Sequence, residues 1–218
     1  QVIALRKAGH EVPIISEGVE IVDFIPGSPV KDIWKPGDII RAVEGNNVNL
    51  AEEVVEKIQE KEVGESIHVT LQRDEEIKEY EVLTVPHVDD QQKAALGIYV
   101  RTLNWQPVLP LEIKIETGPV IGPSAGLMFV LEIFDRLVPE NLTGGHKIAG
   151  TGTISLDEKV GGIGGVKQKV AAAEREGIKF FLVPEENYAD ALQAADEIEV
   201  VSVSKLEDAL NFLYDLSF

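Results

Sequence analysis

The chain has 218 residues, 44% of them apolar, which suits one large domain or two small ones with a proper core. Acids outnumber bases 38 to 20 for a formal charge of −18, a balance that repels nucleic acid and an anionic membrane surface alike. The absence of cysteine excludes disulfides, thiolate metal sites and a cysteine nucleophile.

His10, His68, His87 and His146 lie far apart with no metal-ligand spacing, so neither a metal nor an organic cofactor is expected. The uncharged run Thr117–Leu131 is broken by Gly and Pro and falls short of the about 20 apolar residues a bilayer span needs. The chain starts at Gln1 rather than Met, which reads as a trimmed beginning, so any targeting or anchoring segment N-terminal to it lies outside this sequence.

Taken in order, residues 1–14, with Val2, Ile3, Leu5 and Ala8 apolar, predict the end of a helix or a connector. Gly18–Phe24 predicts a strand, followed by a Pro26-Gly27-Ser28-Pro29 turn. Lys35-Pro36-Gly37-Asp38 has Pro and Gly where a type II turn wants them, before an apolar strand Ile39–Val43. After the Gly45-Asn46-Asn47 turn, Asn49 and Glu52 have capping-box spacing for a helix with Val54, Val55 and Ile58 as its buried stripe. Ile67–Leu71 and Tyr80–Val85 flank Arg73–Glu76 as a hairpin, and the module closes near Pro86.

The string GVEIVDFIPGSPVKDIWKPGDIIRAVEGNNV, with that order of elements, resembles a PDZ domain over residues 15–86. The resemblance implies that Gly18–Phe24 and the Asn49–Gln59 helix border a groove in which an extended peptide adds as a strand. It makes Gly18, Val19, Ile21, Val55 and Ile58 the candidate peptide-binding residues. The carboxylate-binding loop should fall at Ile15–Val19, where the apolar-Gly-apolar-Phe signature is not evident. A spacer module is the alternative.

Residues 87–95 read as a polar linker, and residues 96–218 as a second domain. There, strands such as Leu111–Ile115, Phe180–Val183 and Glu199–Val203 alternate with amphipathic helices. Leu206, Ala209, Leu210 and Leu213 mark one face of the last helix.

The densest punctuation is Gly118-Pro-Val-Ile-Gly-Pro-Ser-Ala-Gly126, leading into a helix with Leu127, Val130, Leu131, Phe134 and Leu137 on its apolar face. Ser124 at that helix start is either an N-cap or a nucleophile served by unpaired backbone donors. Gly-Pro-Ser-Ala-Gly also fits the nucleophile elbow of α/β-hydrolases. His146, the only later histidine, follows too soon to complete that fold, so a general base must be another residue. In the helix after the glycine-rich turn 160–165, Lys169 shares the face of Val166, Val170 and Ala173, while Lys167 and Gln168 point away. Burial disfavours an ammonium and could leave a neutral amine able to take a serine proton; a snorkelling lysine is the alternative.

Taken together, GPSAG, the Ala149–Ile154 strand-turn and KVGGIGGVKQKVAAAEREG resemble the proteolytic domain of Lon-type serine peptidases. The resemblance implies Ser124 as nucleophile, Lys169 as base, Thr151 as the hydroxyl that orients the lysine, and an oxyanion hole around Gly122. Ile121 departs from the charged or polar residue many relatives carry there. No phosphate loop occurs in the sequence; Gly161–Gly165 lacks its lysine and hydroxyl.

The expected fold class is therefore α+β: a small PDZ-like β-barrel or sandwich with helices, then a Lon-protease-like α/β domain. The expected function is ATP-independent cleavage of polypeptide substrates, with a peptide ligand in the PDZ groove and no nucleic-acid partner. A non-catalytic PDZ scaffold with an idle Lon-like domain is the alternative. The resemblance further implies a bacterial, extracytoplasmic protein anchored to the membrane through a segment before Gln1, and admits a homo-oligomer.

Overall fold

The computed structural model describes residues 1–116 and 122–217. The sequence readings on Thr117–Ile121, including Ile121 and the first glycine of the serine loop, fall outside the described residues. The chain divides into two compact units, Pro13–Val108 and a second made of Gln1–Val12 with Leu109–Phe218. This differs from the sequence expectation at both boundaries. Of the two readings of residues 1–14, the helix forms and the connector does not: α1 (Val2–Lys7) buries Ile3 and Ala4 in the core of the second unit. Nor are residues 87–95 a linker, as the strands of the first unit make clear.

That unit opens with β1 (Ile14–Ile15), β2 (Val19–Phe24), β3 (Ile39–Val43) and β4 (Asn46–Asn47), followed by helix α2 (Ala51–Gln59). Next come β5 (Ser66–Arg73), β6 (Glu76–Leu83), β7 (Val85–Pro86), β8 (Ala94–Ala95), β9 (Ile98–Thr102) and β10 (Gln106–Pro107). The main sheet runs β6-β5-β3-β2-β9, with β4 paired to β3. It has two free ends, so the expected barrel is an open sheet instead. The supposed linker is a hairpin: β7 pairs with β8, and the His87 N–H donates to the Lys93 carbonyl at 2.9 Å. It turns the chain back so that β9 can join β2 antiparallel.

Alternating side chains put Val19, Ile21, Ile40, Ile67, Val69 and Leu71 in one core under α2, with Trp34 edge-on to Tyr80. The type II turn forms as expected, with Gly37 at φ +94. The Asp38 carboxylate, 2% exposed, takes both forks of Arg73 at 2.7 Å and the Lys35 N–H at 2.8 Å. Burial alone would raise its pKa, but the Arg73 and Lys35 hydrogen bonds and the Arg73 charge hold it below the usual carboxylate value.

At α2 the sequence expectation was one residue early. Leu50 is the N-cap, and Glu53 rather than Glu52 reaches back, accepting from the Asn49 and Leu50 N–H groups at 2.7 and 3.2 Å. Val54 and Ile58, four residues apart on one face, are buried, whereas Val55 points outward, 43% exposed.

The second unit continues with α3 (Gly126–Leu137), β11 (Ile148–Gly150), β12 (Thr153–Ile154), β13 (Val160–Gly161) and α4 (Val166–Arg175). It ends with β14 (Phe180–Pro184), α5 (Tyr188–Leu192), β15 (Glu199–Val203) and α6 (Leu206–Ser217). β11, β14 and β15 form a parallel sheet with β14 central, and β12 and β13 a small antiparallel pair. One core gathers α1, α3 and α6; another gathers Val166, Val170 and Ala173 of α4 with Phe181 and Val183 of β14. The expected strand Leu111–Ile115 is absent: the segment pairs with no strand among the described residues.

Candidate active site

Ser124 sits in a single 3₁₀ turn, Pro123–Ala125, that leads into α3. Gly122 enters the turn at φ +90, a conformation that disfavours any side chain, although no neighbour among the described residues crowds the position. The N-cap positions belong to Gly122 and Ala125, and neither turn nor helix has a side-chain cap. The capping role for Ser124 is thereby removed.

The turn is docked by its carbonyl onto the step between β11 and β12. The Ser124 carbonyl accepts from the Thr151 hydroxyl at 2.9 Å and from the Gly152 N–H at 2.8 Å. In return the Leu127 N–H donates to the Gly152 carbonyl at 3.1 Å. This approach is close: a Cβ on Gly126 would lie 3.3 Å from Ile154 Cγ2, so a side chain there would press the isoleucine back by a few tenths of an ångström. The central strand holds the other side, because the Thr151 N–H donates to the Leu182 carbonyl at 2.9 Å.

Lys169 comes in from α4. Its helix position beside Val166, Val170 and Ala173 carries it toward the sheet, and Nζ lies 2.9 Å from both Ser124 Oγ and Thr151 Oγ1. The side chain is half-buried, and no carboxylate pairs with it among the described residues. Lys167 points to the opposite face, where it is exposed and meets Asp190 at 3.2 Å and Gln193 at 2.8 Å.

Proton accounting gives the triangle a direction. Thr151 is 1% exposed and has one hydroxyl proton, which it donates to the Ser124 carbonyl. Its oxygen therefore faces the lysine as an acceptor. A neutral amine that donates one N–H to Thr151 has its lone pair free to accept from the Ser124 hydroxyl.

The other predicted residues divide. Val19 and Ile21 are fully buried on β2, an interior strand between β3 and β9, so they face the core rather than a ligand. Gly18 is structural: at φ +99 it lets the backbone pass against Ile39 and Arg41, where a Cβ would collide. Val55 and Ile58 do line a groove, of about 230 Å³, whose opposite wall is β9 and the loop before it. β9 is the sheet edge beside α2, in the place the sequence reading gave to β2. Leu96-Gly97-Ile98-Tyr99 at its start carries the apolar-Gly-apolar-aromatic order sought at Ile15–Val19. Gly97 stands at φ +65 and packs on Ile25 and Ser28 with no room for a Cβ. This motif was readable in the sequence; its place after the module's apparent end concealed it.

Fold and contacts thus define an α/β unit with a serine, a lysine and a threonine joined at a helix start, in one chain with an open sheet-and-helix unit that has an apolar groove. Residues 109–215 match the Lon protease (S16) C-terminal proteolytic domain, and residues 3–84 match the PDZ domain. Relatives include Lon protease of Mycoplasma mobile, 39% identical over 48% of this chain and 13% of that protein. Lon protease 2 of Bacillus subtilis is 34% identical over 51% of this chain and 20% of that protein. The chain thus spans a fifth or less of the length of these two relatives. Among solved structures, the PDZ domain of an SdrC-like protein from Listeria monocytogenes is 19% identical, covering 38% of this chain and 87% of that one, with TM-score 0.35. The chain thus carries a Lon-type C-terminal proteolytic domain and a PDZ domain.

Proposed function

We propose that this protein is a serine endopeptidase in which Lys169 is the general base for Ser124. The neutral amine takes the Ser124 proton as Oγ attacks the substrate carbonyl, and backbone N–H groups of the turn around Gly122–Ala125 stabilise the oxyanion. The ammonium returns its proton to the leaving amine, which departs and leaves an acyl-enzyme. Water then attacks with the same amine as base, freeing the acid and Ser124. The observation that carries the reading is the pair of 2.9 Å distances from Lys169 Nζ to Ser124 Oγ and Thr151 Oγ1. The chemical steps themselves require no nucleotide, and the reading extends to cleavage of flexible or unfolded polypeptide without ATP.

The groove between α2 and β9 supports a second role in the same function. An extended polypeptide would add to the β9 edge by backbone hydrogen bonds, with side chains against Val55, Ile58 and Tyr99. The test is cleavage of casein, an unfolded polypeptide, by the wild type and by Ser124→Ala and Lys169→Ala. Both variants are expected to fold and to lose cleavage; robust cleavage by either removes the dyad.

A further inference from the structure

The loop that aims Lys169 has little stiffness of its own. After Gly161 closes β13, residues 162–165 read Gly-Ile-Gly-Gly, and glycine is the residue least restricted in φ and ψ. Gly165, at φ +72, is the N-cap of α4, and Lys169 lies one turn further on. A loop of this composition needs an external hold if the amine is to stay within hydrogen-bond distance of Ser124.

Beside the apolar packing of Ile163, Val166 and Val170, one polar side chain grips the loop. The Ile163 N–H donates to Asn187 Oδ1 at 2.8 Å, and Asn187 Nδ2 donates to the Ile163 carbonyl at 3.0 Å. A single amide thereby engages both backbone groups of one residue, as a neighbouring strand would. Asn187 occupies the N-cap of α5, where asparagine is among the best capping residues, yet it makes no capping bond. Its amide is spent on the glycine loop instead.

The origin of Asn187 adds to the argument. It follows the end of β14 by one short turn, and β14 is the strand whose Leu182 carbonyl receives the Thr151 N–H. One central strand is thus tied to Thr151 directly and to the Lys169 helix through Asn187 and Ile163. The remaining polar tether of the first turn of α4, Lys167 to Asp190 and Gln193, is exposed and contributes little.

The structure assigns Asn187 as a positioning residue for Lys169, acting through the Ile163 backbone. This rests on the dyad reading above. Asn187→Ala releases both bonds while leaving Ser124, Thr151 and Lys169 in the sequence. A displacement of about 1 Å between reacting groups costs on the order of 100-fold, so kcat should fall by about 10- to 100-fold. No substrate contact is removed, so KM should stay within about twofold.

The experiment measures kcat and KM on fluorescein-labelled casein, with the unfolding temperature, for wild type, Asn187→Ala, Asn187→Asp and Lys169→Ala, well below the lowest unfolding temperature. Asn187→Asp retains the acceptor for Ile163 N–H and loses the donor, so its kcat should fall between the other two; it carries the comparison alone if Asn187→Ala does not fold. A kcat loss with KM kept, in folded protein, supports the assignment. Full kcat in either Asn187 variant, a change confined to KM, or a loss that merely follows the unfolded fraction overturns it. Activity retained by Lys169→Ala would instead overturn the dyad reading, whereas an inactive Lys169→Ala beside a fully active Asn187→Ala overturns the positioning role alone.

Discussion

Replacing Thr151 by Val tests the proton accounting with almost no change of shape. The hydroxyl makes two bonds, as donor to the Ser124 carbonyl and as acceptor from Lys169 Nζ, each at 2.9 Å. The carbonyl is not orphaned by the change, because the Gly152 N–H still reaches it at 2.8 Å. The stability cost is therefore near that of ordinary hydrogen bonds, about 1–2 kcal/mol, or a few degrees in unfolding temperature. The kinetic cost is larger, because the amine loses the partner that turns its lone pair toward Ser124. General-base catalysis contributes about 10²- to 10⁴-fold, and losing its orientation should lower kcat/KM on casein by about 100-fold, or about 2.7 kcal/mol. Thr151→Ser keeps the hydroxyl and removes one methyl, at about 0.8 kcal/mol of burial, and should stay within about threefold of wild type. A Val variant that cleaves at the wild-type rate, or a Ser variant as slow as Val, refutes the orientation argument.

Val55→Glu puts a charge on an exposed groove wall and should raise KM for casein without lowering the unfolding temperature, whereas unchanged KM would separate the groove from substrate capture. Arg73→Leu strands the buried Asp38 carboxylate and should cost the PDZ unit about 2–4 kcal/mol in urea unfolding, less than a fully enclosed pair because Arg73 keeps some solvent. The pH dependence has a definite sign: the folded pKa of Asp38 is depressed, so its stabilisation is complete above the unfolded value of about 3.9 and is lost as pH falls through the folded value. Asp38→Asn should remove that acid-side loss; an unchanged slope of stability against pH would refute the linkage.

Much of the proteolytic unit was legible because its signals are local. Glycines and proline around Ser124 announced a turn into a helix, and apolar spacing put Lys169 rather than Lys167 on the inner face of α4. The last helix buries Leu206, Ala209, Leu210 and Leu213, as their spacing required. Misreadings arose where a pattern admits two tertiary outcomes. Leu111–Ile115 alternates like a strand but has no partner strand among the described residues, and Val55, beside the buried Val54 and Ile58, lies at the margin of the apolar stripe and faces outward. The PDZ groove was placed on the wrong strand because alternation identifies a strand without saying whether it is interior or edge.

Residue order by itself determined the number of units, the chemistry available to them and the helix faces, since these follow from composition and from periods of two and 3.6 residues. Only the tertiary structure decided that residues 1–12 join the proteolytic unit, that β9 rather than β2 walls the groove, and that the amine of Lys169 reaches a serine 45 positions away. Such outcomes depend on which buried surfaces and backbone donors find each other across long stretches of chain, and no local pattern encodes that pairing.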